Sequence, residues 1–524
     1  MKPIHLFTQT SLLLGAMLYM TSCREMEPEN EVVTISEKAT SRTEPETAYP
    51  GEVGTLKKGT LFGSEITYSE IDGKAVFQGD IILSPEQLAG ANARTEATGL
   101  SNKPELWSNA TINYTIDPSI TNKDAIMAAI AEFEASTPIR FVLLQNPEGI
   151  YAGIRINYVT FKHGRGYSSS IGRVGGQQFI TLPIFATKGA ILHEIGHTVG
   201  LFHEHTRPDR LNSIKINLNN VSEADLINMS TYQAQGYQGF QYMYMDMKSI
   251  MMLDSYAYSK NGLPVMTLLP GTTFTVQREK LSNEDTYGIT IMYGNVYALS
   301  GSLYAGDALK GKRATCSLYW ENAEAMCATP NTLYIAHNNT IWAVNKLTGS
   351  RTETITGISG IKSMVYAQKK VYFLQNGYLY SYNPANGVGI KFPGQYWLPG
   401  TALSYCYGFL FIVNGDTLFR ISMDGQNFVS MGKGYQGVTE MVPFNDKLYI
   451  LKNGKLWKMD SNSGAIMQHG NGTYAADAQL TANTKNLLVV DGGNLNSVGE
   501  WGERKTISNN WPTMKHLTAV GAED

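Results

Sequence analysis

Two kinds of apolar spacing divide this chain. Beyond about residue 295, short runs of alternating apolar and polar residues recur in pairs, as in "NTLYIAHNNTIWAVN", "KKVYFLQNGYLYSYN" and "DKLYILKNGKLWKMD". Alternation over four to eight residues turns one face of a strand towards a core, and the Asn/Gly turn between two such runs is a hairpin signal. The first apolar residues of the pairs are Val296, Leu333, Val371, Leu410, Leu448 and Leu487, spaced by 37 to 39 residues. A fixed spacing on this scale marks a repeat architecture. A further strand precedes every hairpin but the first ("EAMCAT", "KSMVYA", "TALSYC", "TEMVPF", "AQLTAN"), and "KHLTAV" at 515–520 closes the chain with no hairpin after it. An open stack has no use for that offset, whereas a ring can use the last strand to complete its first unit. The repeats therefore predict an all-β six-bladed propeller over residues 295–524.

Ahead of the repeats the pattern is mixed. "KGAILHEIGHTVGLFHEH" predicts a helix from Lys188 to Thr198, and four of the chain's nine histidines lie within residues 193–205. His193 and His197, four apart, project from one helix face. Glu194, one residue on, can reach a water beside a metal held by that pair. Gly200 permits a positive-φ turn, which brings His203 back as a third ligand. Three neutral imidazoles leave one position of a zinc ion open, the arrangement of a catalytic site. His205 is left over and reads as a local hydrogen-bonding group, and His163 as a surface loop residue.

The stretch "HEIGHTVGLFHEHTRPDR" resembles the zinc signature HExxHxxGxxHExxRxDR of the astacin family, within the metzincin metalloproteases. "LWSNATINYTI", "AAIAEFEASTPIRFV", "SSSIGRVGGQQFITL" and "QREKLSNEDTYGITIMY" resemble further segments of that domain. The resemblance implies an α+β metzincin-like zinc protease domain over residues 98–294, with one Zn2+ on His193, His197 and His203. It makes Glu194 the general base and Met251 of "SIMMLDSY" the Met-turn methionine beneath the zinc. Glu204, after the third ligand, would be the partner of the mature N-terminus, which counts back to near Thr98, with Arg94 a trimming site before it. "FQGD" at 77–80 resembles the FxGD element of astacin pro-segments, so Asp80 would occupy the open zinc position and residues 51–97 would form an inhibitory pro-segment. Ser168–Leu182 would offer an edge strand to a peptide substrate by strand addition.

Two departures stand out. Met252 and Leu253 occupy the Met-turn positions where the family commonly has His and Tyr, and that Tyr steadies the oxyanion. Restoring it by Leu253→Tyr is expected to raise turnover. The family's disulfides are absent, because residues 100–300 contain no Cys.

The remaining composition changes the picture little. With 43% hydrophobic and 17% charged residues and a net charge of −3, nothing points to nucleic acid. At the N-terminus, Lys2 and the apolar run Ser11–Met20 are too short for a spanning helix and read as a leader. "MTSC" resembles a bacterial lipobox, which makes residues 1–23 a lipoprotein signal and Cys23 the lipidation site. Residues 24–50 read as a flexible tether. Cys316, Cys327 and Cys406 lack CxxC spacing, and Cys316 and Cys327 could pair outside the cytoplasm.

The expected protein is a secreted or surface-anchored zinc endopeptidase acting on proteins or peptides and made as a latent zymogen. It would sit in the bacterial cell envelope, lipid-anchored at the outer membrane or cell surface, and leave for the exterior on activation. The propeller would bind a protein or glycan ligand and be dispensable for peptide hydrolysis. The alternative is a ligand-binding or adhesion propeller lipoprotein with a weakened protease domain, a role that has no need of Glu194.

Overall fold

The computed structural model describes residues 46–88, 105–236 and 241–520, apart from short breaks at 122, 146–149, 152–153, 330, 394–395, 398–401 and 462. The leader, Cys23, most of the expected tether, Arg94 and Thr98 lie outside the described residues.

Residues 55–83 form an antiparallel meander, β1 (Thr55–Leu61), β2 (Ser64–Ile71), β3 (Lys74–Phe77) and β4 (Ile81–Leu83), followed by one turn of helix, α1 (Pro85–Leu88). Its apolar face (Leu61, Ile66, Phe77, Ile81 and Leu83) packs on Ile171 and Tyr232 of the next domain. The β3–β4 turn bends through Gln78 (φ 52°) and Gly79 (φ 94°) and delivers Asp80.

The central domain holds β5 (Thr111–Ile116), α2 (Asp124–Ser136), β6 (Arg140–Leu143), the small hairpin β7 (Ile150–Tyr151) and β8 (Ile154–Arg155), β9 (Tyr158–His163) and β10 (Gln177–Leu182). The sheet runs β10-β9-β5-β6, with all three pairings parallel. Parallel strands need a crossover, and α2 supplies the one between β5 and β6. Ile126, Ala129, Ile130 and Phe133 of α2 share a core with Ile191, Leu192 and Ile195 of α3 (Lys188–Thr198). α4 (Asn283–Tyr293) begins with a capping box between Ser282 and Asp285.

From Val296 onwards the described residues form six four-stranded antiparallel sheets. The first contains the last described strand: His516–Ala519 pairs with Val296–Leu299. The innermost strands of neighbouring sheets pack in sequence from Ala323–Ala328 to His516–Ala519, and these two also touch each other. Each sheet has one strand more than the pattern predicts, such as Arg351–Thr356 and Val388–Lys391. Apart from Arg313–Trp320 in the first sheet, those outer strands are largely exposed, so little selects for the apolar alternation by which a strand is recognised.

Two expectations are corrected. The tether ends before Glu46, not at Pro50, because Glu46 and Ala48 are buried against the central domain. His163 closes β9 instead of lying on a loop. The pairing of Cys316 with Cys327, which the sequence left open, is not formed.

Candidate active site

The helix α3 starts where the Thr187 side chain accepts from Ala190 N–H, a standard N-cap. Every residue from Gly189 to Thr198 is buried. Gly196 sits directly over Met251, since a Cβ there would run into the Met251 sulfur. The helix breaks at Gly200 (φ 109°), and the chain returns to place His203 opposite the pair on α3.

Three imidazoles and one carboxylate converge in this buried space. Asp80 Oδ2 lies 3.2 Å from His193 Nε2 and 3.1 Å from His203 Nε2, and Asp80 Oδ1 lies 3.4 Å from His197 Nε2. The His193 and His203 Nε2 atoms are 3.2 Å apart. His193 Nδ1 is 2.9 Å from the Ile250 carbonyl and His197 Nδ1 is 2.8 Å from that of Leu201. Those contacts place the proton on Nδ1 and leave each Nε2 a bare lone pair aimed at the centre. His197 Nε2 and Asp80 Oδ1 have no hydrogen-bond partner among the described residues, although fully buried. Buried acceptors facing one another are costly unless a cation lies between them. All four ligand atoms lie within 4.8 Å of one another, so this donor set fits a single metal ion.

The electrostatics follow from burial. Burial pushes His203 down to about 4, against the pull of Asp80, which favours the neutral ligand form. Burial alone would raise the Asp80 carboxyl, but the neighbouring imidazoles hold it well below its ordinary value. Glu194 is moved the other way: burial and then the charge of Asp80 raise it well above its ordinary value, despite a 2.7 Å hydrogen bond from Ser169 Oγ to its Oε2. Burial and the neighbouring Asp80 carboxylate thus both disfavour the charged form of Glu194.

The remaining candidates fall around this centre. Met251 lies under α3, 1% exposed, and its carbonyl accepts from Glu204 N–H. Its turn is pinned by Asp285, which accepts from Ser249 Oγ at 2.7 Å and Ile250 N–H at 2.8 Å. Glu204 accepts from Asp246 N–H at 2.7 Å, and burial raises it to about 8. It borders a cavity of about 100 Å³ shared with Leu106, Arg207, Tyr242, Asp246 and Leu347. His205 points away and meets the Asn228 carbonyl at 2.9 Å.

The residues before Asp80 fill the cleft. Ser169 N–H donates to the Asp80 carbonyl (3.1 Å) and Ile82 N–H to that of Ser169 (2.8 Å), so the expected peptide edge is already paired. That edge is Ser168–Ser170, on the outer side of β10, with Ser168 bridging to Thr181. Tyr167 N–H donates to the Thr47 carbonyl at 2.8 Å, and Ala48 N–H to that of Gly79 at 2.9 Å. Glu46 forms a two-armed pair with Arg278, and Tyr258 Oη donates to the Gln78 carbonyl at 2.8 Å. Sequence reasoning passed over Glu46, Ser169, Tyr258 and Arg278. Each is a single common residue outside any metal-ligand spacing, and only its neighbours in space give it a role.

A metal-ready three-histidine centre with an adjacent buried carboxylate, set against a parallel sheet, defines the class. Residues 99–294 match the family model for the astacin peptidases. Zinc metalloproteinase nas-14 of Caenorhabditis elegans is 28% identical over 250 residues, covering 46% of this chain and 48% of that protein. Flavastacin of Elizabethkingia meningoseptica is 30% identical over 274 residues, covering 47% of this chain and 57% of that protein. Astacin-like metalloprotease toxin 2 of Loxosceles intermedia is 31% identical over 238 residues, covering 42% of this chain and 84% of the toxin. The chain belongs to the astacin family, which is zinc-dependent. It spans about half the length of several curated relatives that it matches.

Proposed function

We propose that this protein is a zinc endopeptidase made as a latent precursor, with a six-bladed propeller following its catalytic domain. One observation carries the reading: Asp80, delivered by the β3–β4 turn, lies among His193, His197 and His203 beside Glu194. His193, His197 and His203 would hold the metal. When bound, zinc lowers the pKa of a water and polarises a peptide carbonyl. Glu194, freed of the charge of Asp80, takes the water's proton and passes it to the leaving amine. Met251 and the carbonyls of Ile250 and Leu201 keep the imidazoles oriented. The Ser168–Ser170 edge, once vacated by Ile82, receives an extended substrate.

Residues 46–97 act as the inhibitory pro-segment. A cut between Asp80 and Leu106 releases a new N-terminus, and the cavity beside Glu204 suits its ammonium group. The propeller reading is supported by the cyclic packing of the inner strands around a cavity of about 950 Å³, lined by Lys362, Tyr366, Ser404, Glu440, Gln479 and His516. A cavity of that size suits a protein loop or glycan ligand. The leader and Cys23 support delivery to the cell envelope on a lipid, with the catalytic domain leaving once the pro-segment is cut.

The test is zinc content together with casein cleavage by the activated chain. One zinc per chain and casein cleavage that Glu194→Gln abolishes, with the zinc retained, support the mechanism. A zinc-loaded chain that cleaves neither casein nor peptides would overturn it.

A further inference from the structure

A peptidase of this kind needs a donor for the negative charge that gathers on the carbonyl oxygen during attack. At the Met-turn, Leu253 cannot supply it, being 1% exposed and packed with Met252, Ala257, Val265 and Met266. A tyrosine five residues later does face the cleft. Tyr258 Oη donates to the Gln78 carbonyl at 2.8 Å, and a Cβ on Gly79 would collide with the same hydroxyl. The phenol therefore lies against Gln78 and Gly79, the two residues before Asp80. Tyr258 also has φ 62°, in the left-handed region that a bulky side chain rarely adopts. Such a conformation persists only where its surroundings over-determine it, and it clusters at functional sites.

The blocking turn shows how the cleft receives peptide groups. The contacts with Ser169 are main-chain pairing, which any extended chain would obtain. The Tyr258 contact is different in kind. It is a side-chain donor on a main-chain carbonyl two residues before the carboxylate that enters the metal centre, and removal of residues 46–97 frees it.

We infer that in the activated enzyme Tyr258 is a catalytic residue whose phenol donates a hydrogen bond to the scissile carbonyl oxygen and stabilises the charge that develops there. This rests on the protease reading above. In the step, the water oxygen bonds to the carbonyl carbon, the C=O π pair moves onto the oxygen, and the water's proton passes to Glu194. The C=O then re-forms, the C–N pair leaves with nitrogen, and Glu194 returns the proton to the amine. Tyr258 keeps its own proton throughout.

The experiment compares activated wild type, Tyr258→Phe and Glu194→Gln for zinc content, Tm, kcat and KM on a quenched peptide, and affinity for a phosphinic peptide that mimics the tetrahedral state. A fourth chain, Glu194→Gln with Tyr258→Phe, measures binding of intact peptide. Expected for Tyr258→Phe are unchanged zinc and Tm, kcat lower by about 10²–10³-fold, and KM within about twofold. Phosphinic peptide affinity should fall with kcat, while intact peptide binds both Glu194→Gln chains alike. Unchanged kcat and phosphinic affinity, with only faster loss of the pro-segment, would make Tyr258 a latch and overturn the inference. A lower Tm or zinc content that accounts for the loss would also overturn it. An inert wild type carrying full zinc would remove the protease reading itself, an outcome separate from both.

Discussion

Glu46 and Arg278, 232 residues apart in the chain, meet in a buried two-armed ion pair, with Nε–Oε1 at 2.8 Å and Nη2–Oε2 at 2.9 Å. Arg278 also donates to the Met252 carbonyl at 3.0 Å, so the pair ties the first described residue to the Met-turn. Removing one partner of a buried pair leaves an uncompensated charge. Glu46→Gln should therefore weaken docking of residues 46–88 by about 3–5 kcal/mol. The expected result is faster hydrogen exchange in β3 and β4 and earlier cleavage by added trypsin, with β5 unaffected. Equal exchange in the two chains would show that the pair contributes nothing to latency.

The same pair sets a pH dependence. Burial alone would raise the Glu46 carboxyl, but the hydrogen bonds and charge of Arg278 bring it from 4.5 down to about 2. A carboxyl depressed in the docked state stabilises docking fully above its free value and loses that stabilisation as pH falls through its docked value. The grip on residues 46–88 should thus be flat above about pH 4.5 and weaken from there towards pH 2. Other carboxyls titrate in this range, so the measurement is the difference between wild type and Glu46→Gln in exchange at Ala48. That difference should shrink on acidification.

Leu253→Tyr, expected from the sequence to raise turnover, should instead destabilise the fold. Leu253 is 1% exposed and clusters with Met229, Met245, Met252, Val265 and Met266, which a larger ring would have to displace. Overpacking of this kind costs about 1–3 kcal/mol. A lower Tm without a gain in kcat is the outcome that agrees with the structure.

The six-sheet array should not be freely removable. Lys310 Nζ, on the turn between two strands of its first sheet, donates to the carbonyls of Glu134 (2.7 Å), Thr137 (3.1 Å) and Ile139 (2.6 Å) at the C-terminal end of α2. Ile291 of α4 belongs to the core of the array. Lys310→Met should cost about 1.5–3 kcal/mol, the range for hydrogen bonds to a charged group, read as a shift in the unfolding midpoint. A chain ending at Tyr293 would lose both contacts and should unfold at lower temperature than the full chain. Equal midpoints would restore the view of two separable domains.

The metal centre and the repeats were legible in the sequence because their physics is local. His193 and His197 share a helix face through the 3.6-residue turn, and Gly200 supplies the positive φ that returns His203. The hairpins announce themselves because a continuously buried apolar strand, such as Lys370–Gln375 or Lys447–Lys452, is followed after an Asn/Gly turn by one with a half-buried face, and "KHLTAV" revealed its partner through the counting of strands. The outer strands escaped because solvent accepts almost any residue there. Asp80 was legible only through a resemblance, since a single carboxylate 113 residues before His193 carries no spacing signal. The pairing of Glu46 with Arg278, the Tyr258 phenol over Gln78 and the Lys310 clasp on α2 were decided by the tertiary structure alone. Each is a contact between one ordinary side chain and a distant backbone or charge, and a sequence records neither the distance nor the direction between them.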